Sequence, residues 1–134
     1  FKTAAQEQGI SLSVQSPLPP LQLHCDRARM ELVLSNLLEN ALKFTPEGSR
    51  ITIRSEHVPD PRDGVAAPVP CVLVSVHDHG EGIPSQVLPK IFIPFYTTKE
   101  NGTGLGLAIS HRIVREAAVL PRDLAAHIGA LGTP

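Results

Sequence analysis

Residues 27–44 carry two different stripes on one segment. Met30, Val33, Leu34, Leu37, Leu38 and Ala41 recur at the three- and four-residue spacing of a single helix face. Asn36, Asn40 and Lys43 fall on a second, polar stripe of the same segment. The spacing predicts a helix over Arg27–Phe44, with Asp26 as its N-cap and Pro46-Glu47-Gly48 ending it. Such a helix is stable only when its apolar stripe is buried against another layer. Three stretches supply strand patterns. Ile10–Val14 alternates apolar and polar residues, Ile51, Ile53 and Ser55 alternate with Thr52, Arg54 and Glu56, and Cys71–His77 is rich in β-branched residues.

Punctuation residues set the remaining expectations. Phe1–Gly9 reads as the end of a helix stopped by glycine, and Ser16-Pro17 with Pro19-Pro20 as a rigid turn. Val58–Pro70, with four prolines and a glycine, reads as a surface loop between strands. Pro84–Phe92 reads as a short helical piece, Ile93–Thr103 as an irregular loop, and Gly104–Leu120 as a second amphipathic helix stopped before Pro121. Arg122–Pro134 has no clear pattern, and the chain contains no internal repeat.

Composition narrows the class. The 134 residues suit one domain, and 42% are apolar, so the chain can build a core. With four Phe, one Tyr and no Trp, that core has to be aliphatic. A net charge of −1 with scattered Lys and Arg argues against a nucleic-acid face. No apolar run approaches the roughly 18 residues of a membrane span, and Phe1–Gln8 lacks a signal-peptide pattern. Cys25 and Cys71, far apart and outside any CxxC spacing, are expected to be two reduced, buried thiols of a cytoplasmic protein, with a disulfide as the minor alternative.

Four constellations carry chemistry, and each has a plainer reading beside it. An amide oxygen such as that of Asn40 is a good ligand for a hard cation, and Lys43 one turn on can reach phosphate oxygens. The same stripe also reads as a solvated face on which Glu39 pairs with Lys43. Asp78-His79-Gly80-Glu81-Gly82-Ile83-Pro84 follows a strand, so its carboxylate can accept from an adenine amino group while glycine backbone approaches the base; alone it is equally a glycine turn. His77 and His79 flank Asp78 but, as strand neighbours, point away from it, which disfavours a metal site there. Ile91-Phe92-Ile93-Pro94-Phe95-Tyr96-Thr97-Thr98-Lys99 suits a lid, or a minor hydrophobic cluster under a loop. Gly102-Thr103-Gly104-Leu105-Gly106-Leu107-Ala108 opens a helix whose N–H groups attract phosphate, or is a flexible loop with a cap; it has neither Walker nor Rossmann spacing.

The order of the four resembles the N, G1, F and G2 boxes of the sensor histidine kinases, whose ATP-binding superfamily also includes gyrase, a heat-shock chaperone and mismatch-repair ATPases. Asn36-Leu37-Leu38-Glu39-Asn40-Ala41-Leu42-Lys43-Phe44-Thr45-Pro46 and Gly102-Thr103-Gly104-Leu105-Gly106-Leu107-Ala108-Ile109 carry the resemblance most specifically, and it covers roughly residues 1–116. It implies an α+β fold, the two-layer α/β sandwich of the Bergerat type, with a mixed sheet under helices. It implies a catalytic domain over residues 1–120, of which residues 1–9 end a linker from dimerisation helices, followed by an atypical tail over 121–134. ATP and Mg2+ are the implied cofactors. Asn40 then resembles the metal ligand, Lys43 a phosphate contact, Phe44 an adenine-flanking aromatic and Asp78 the adenine-reading carboxylate. Gly80, Gly82, Ile83, Phe92, Phe95, Thr98, Lys99, Gly102, Thr103, Gly104, Leu105, Gly106 and Leu107 complete the expected nucleotide site. Asn36, Glu39 and Lys43 are the expected catalytic group.

Asn36 bears on the reaction. The superfamily's ATPases carry a water-activating glutamate at this place, and an amide cannot take up a proton. That fits transfer to a histidine of a partner, a dimeric phosphoacceptor helical domain, with a response regulator downstream in a two-component system; no nucleic acid or direct membrane contact is implied. The chain departs from the family's pattern twice. None of its six histidines lies in a His-Glu-Leu-Arg motif, and Glu116-Ala117-Ala118-Val119-Leu120-Pro121 stands where a His-Gly-Gly turn and two closing strands are expected, leaving those strands missing or atypical. The alternative to a kinase domain is a catalytically crippled nucleotide-binding module, and an ATP-hydrolysing clamp is disfavoured by Asn36.

Overall fold

The computed structural model describes residues 1–16, 25–59, 64, 66, 71–100 and 102–117. In chain order they form α1 (Lys2–Glu7), β1 (Ser11–Gln15), α2 (Arg27–Phe44), β2 (Arg50–Val58), β3 (Cys71–His77), a single 3-10 turn at Leu88–Lys90, and α3 (Gly106–Ala117). The strands lie in the order β1-β2-β3, with β1 parallel to β2 and β2 antiparallel to β3, so the sheet is mixed.

Helix α2 begins and ends where local chemistry dictates. The Asp26 side chain accepts from Arg29 N at 3.2 Å, capping an otherwise unpaired N–H. At the other end Thr45 turns extended, as a residue before proline must, and the chain folds back through Pro46–Ser49 into β2. Gly48 N donates to Gly9 O at 2.9 Å, tying this turn to the corner between α1 and β1.

The strand register sorts side chains onto two faces. Leu12 pairs with Ile51, Val14 with Ile53, and Ile53 with Val76. Leu12, Ile51, Ile53 and Val76 turn toward a core completed by Ala5 and Ile10 and by Leu38, Ala41 and Leu42 of α2. The opposite face is polar and self-paired: Ser13 Oγ donates to Thr52 Oγ1 at 3.3 Å, and the Arg54 guanidinium donates twice to Gln15 Oε1 at 3.2 and 3.0 Å. Helices on one face and polar side chains on the other make a two-layer α+β fold, as the resemblance implies.

Helix α3 packs on α2 rather than into the sheet's main core. Val33 and Ile113 are buried, Arg29 of α2 pairs with Glu116 of α3 at 2.8 Å, and Arg112 pairs with the same carboxylate at 3.0 Å. The hydrogen bond from Arg112 and then that from Arg29 hold the Glu116 carboxyl below its usual range.

Three expectations change. Cys25 is exposed and Cys71 half-buried, where both are expected to be buried. Pro84–Phe92 forms only the 3-10 turn Leu88–Lys90, with i−3 bonds such as Lys90 N to Val87 O at 2.9 Å, because Pro89 has no N–H to donate. Helix α3 starts at Gly106, not Gly104, since Gly104 has φ of 71°. The expected turn at Pro17–Pro20, most of the Val58–Pro70 loop, residues 118–120 of the second helix, and the tail 121–134 with its question of closing strands lie outside the described residues.

Ile51 is 0% exposed at the centre of the core. Ile51→Ala is expected to lower unfolding free energy by about 2–5 kcal/mol through lost transfer energy and a residual cavity. Urea denaturation followed by circular dichroism measures it; a loss below about 1 kcal/mol would contradict this packing.

Candidate functional site

The polar stripe of α2, the turn after β3 and the loop before α3 meet at one end of the molecule. Asp78 Oδ1 accepts from Gly80 N at 2.8 Å, which folds the turn over its own carboxylate; the second oxygen has no partner among the described residues. Gly80 is buried against the end of α2: a β-carbon there would lie 2.7 Å from Phe44 O. Only glycine allows that approach, and it sets Asp78 beside Phe44. Beyond it, Gly82 with φ of 77° and Glu81, Ile83 and Pro84 line a hollow of about 280 Å3. His77 and His79 stack on each other at 5.1 Å, and His79 Nδ1 meets Arg50 O at 3.0 Å.

The loop before α3 closes on itself. Phe95 N donates to Gly104 O at 2.8 Å, and Lys99 N to Thr97 Oγ1 at 3.0 Å. A β-carbon on Gly104 would lie 2.3 Å from the Phe95 carbonyl carbon, so this crossing requires glycine's absent side chain as well as its positive φ. Phe95 itself has φ of 68°, a conformation that costs a bulky residue about 1–3 kcal/mol and marks the loop base as strained.

At the loop's tip Lys99 reaches inward. Its ammonium donates to Asn40 Oδ1 and lies 5.1 Å from the centroid of the Phe44 ring. Burial lowers the Lys99 pKa, nearby Lys43 lowers it further, and Glu39 opposes the shift. Glu39 and Lys43 thus act electrostatically on Lys99, and among the described residues they do not form the ion pair their spacing allows. The Asn40 oxygen is half-buried and already holds a cationic group, so its chemistry fits a metal ion bound together with phosphate oxygens.

Asn36 faces α3 instead. Its Nδ2 donates to Gly106 O at 3.2 Å and to Ser110 Oγ at 3.0 Å, the latter residue being 5% exposed. The amide therefore sets the first turn of α3, and with it the glycine loop, relative to Asn40. Thr103 Oγ1 accepts from Leu105 N at 3.3 Å just before that turn. Leu105 and Leu107 are half-buried, Thr98 is exposed, and Gly102 packs against Thr97 and Lys99.

The two phenylalanines part company. Phe92 stacks on His111 of α3 at 4.5 Å, and burial, then Arg115, lowers the pKa of that imidazole. Phe95 is 74% exposed. Phe92 thus anchors the loop to α3, and neither ring joins the Asn40–Lys99–Phe44 cluster. Ser110 and His111 have no role in the sequence reading, and Thr97 enters it only as part of the lid segment; the periodicity of α3 marks Ser110 and His111 only as helix positions, and nothing local shows what they touch.

Residues 25–124 match the family described as histidine kinase-, DNA gyrase B-, and HSP90-like ATPase. Sporulation kinase D of Bacillus subtilis (strain 168) is 38% identical over 95 residues, covering 71% of this chain and 17% of its own length, so the chain spans less than a fifth of that relative. The catalytic domain of the histidine kinase ThkA superposes with a TM-score of 0.73 at 35% identity, over 87% of this chain and 70% of that one. Full-length ShkA, solved in complex with AMPPNP, superposes with a TM-score of 0.64 at 32% identity, over 83% of this chain and 21% of that one.

The closed loop has a direct test. Gly104→Ala cannot keep the crossing at Phe95, so trypsin is expected to cut after Lys99 several-fold faster while the α2–sheet core stays folded. Unchanged cleavage would contradict the closed loop.

Proposed function

The chain belongs to the family of histidine kinase-, DNA gyrase B- and HSP90-like ATPases, and we propose that it binds Mg-ATP and donates the γ-phosphate to a histidine on a separate dimeric helical domain of a two-component sensor kinase. The observation that carries this reading is the convergence on Phe44. Lys99 and Asn40 meet on one side of it and the Asp78–Gly80 turn presses on its backbone, so cation ligand, aromatic and carboxylate surround one place. Likeness to sensor kinases supports the same reading.

In this proposal the uncommitted oxygen of Asp78 accepts from the adenine amino group, and Phe44 flanks the base. The N–H groups opening α3 and the Lys43 ammonium face the phosphates. Mg2+, held through Asn40, would neutralise phosphate charge. Asn36 keeps the glycine loop in register and, being an amide, activates no water. An imidazole nitrogen of the partner attacks the γ-phosphorus in line; the new P–N bond forms as the bond to the β–γ bridging oxygen breaks, and ADP leaves. The same reading places the domain in the cytoplasm, with its ATP supply and a response regulator as the final acceptor. Among the described residues no helix is long and apolar enough to cross a membrane.

Two measurements test this. Guanine presents a carbonyl where adenine presents its amino group, and an unmade buried hydrogen bond costs about 1–3 kcal/mol, so calorimetry should show ATP bound about 5- to 150-fold more tightly than GTP. Equal affinities would remove the role given to Asp78. With γ-labelled ATP, acid-labile phosphate is expected on an added dimeric helical domain and not on the isolated chain. Label on the chain itself would refute the proposal, rapid release of free phosphate would favour the ATPase clamp, and ATP binding without transfer would favour the binding module.

A further inference from the structure

Lys99 occupies a position that simple phosphate recognition does not explain. Its ammonium rests on Asn40 Oδ1, the oxygen proposed to ligate the metal, and over Phe44, the aromatic proposed to flank the base. An ammonium and a divalent cation cannot share that oxygen without direct repulsion, and the nearby Lys43 charge raises the cost of a further cation. The placement is held from the backbone. Lys99 N donates to Thr97 Oγ1 at 3.0 Å, Gly102 N to Lys99 O at 3.4 Å, and Gly102 lies so close that a β-carbon there would sit 2.9 Å from Lys99 Cβ. The crossing of Phe95 and Gly104 closes the loop behind it.

We propose that Lys99 determines the preference for ATP over ADP by competing with the metal for Asn40 unless a γ-phosphate draws it away. The inference rests on the reading of Asn40 as metal ligand. ATP offers the ammonium a new charge-assisted partner when it leaves Asn40, so displacement has little net cost. ADP lacks the γ-phosphate and offers no such exchange. Its apparent affinity is reduced by the fraction of molecules in which Lys99 remains on Asn40. The spent nucleotide is therefore disfavoured by the same side chain that welcomes the fresh one.

The test compares Mg-ADP and Mg-ATP binding by calorimetry for the parent chain, Lys99→Met and Lys99→Gln, run in parallel so that the conclusion does not depend on one variant folding. Lys99→Met is expected to bind Mg-ADP about 5- to 10-fold more tightly than the parent, at a lower Mg2+ requirement, because the competing fraction is gone. Mg-ATP binding should weaken or stay level, so the ATP-to-ADP preference collapses. Lys99→Gln, which keeps a donor for Asn40 without the charge, should fall between. Mg-ADP affinity that is unchanged or weaker in Lys99→Met overturns the role of Lys99 while leaving the kinase reading in place. Failure of the parent chain to bind Mg-ATP would defeat that reading itself.

Discussion

The burial of one face of α2 on the sheet is the contact from which the rest of the molecule is built. Leu38, Ala41 and Leu42 insert among Ile10, Ile51 and the strand residues around them, and this leaves no rotational freedom about the helix axis. Because Asn36, Asn40 and Lys43 are fixed at other angles on the same cylinder, packing the apolar stripe also aims the polar one. Core and site share a single helix, so the geometry of the site is inherited from the core.

What each end of α2 meets then divides the labour. Near its middle, Asn36 is committed to Gly106 and Ser110, so the second helix is hung from the first by a polar clamp flanked by buried Val33 and Ile113. At its C-terminal end Phe44 lies against Gly80 and beneath Lys99. Asn36, expected in the catalytic group, also clamps the start of α3, and Lys99, expected as a phosphate contact, rests on the amide of Asn40. Both contacts follow from the same fact: a polar side chain in a half-buried site takes the nearest partner available in the folded chain.

Legibility in the sequence follows the range of the interaction responsible. The bounds of α2 were readable because Asp26 and Pro46 act within one turn, and Cys71–His77 because β-branched residues cluster within it. The stripe carrying Asn40 and Lys43 was readable for the same reason. The helical piece expected over Pro84–Phe92 contracts to the 3-10 turn Leu88–Lys90, since apolar spacing there competes with Pro89, and the missing donor decides. The clamp between Asn36 and Ser110 joins residues 74 apart, and the contact between Lys99 and Asn40 joins residues 59 apart. Neither has a local signature, because each exists only once the sheet has brought the helices together.

Strain and polarity are concentrated in the loop before α3. Phe95 is held in a left-handed conformation that its side chain disfavours, and the compensation is a backbone bond to Gly104, a position with room for no side chain at all. The loop is held by the Phe95–Gly104 crossing and by the bonds of Lys99 to Thr97 and Gly102, and it carries an exposed aromatic at its base. Phe92 stacked on His111 ties one root of the loop to α3. The fold therefore joins α2, pressed on the sheet, to a loop whose tip sets a lysine on that same helix's Asn40.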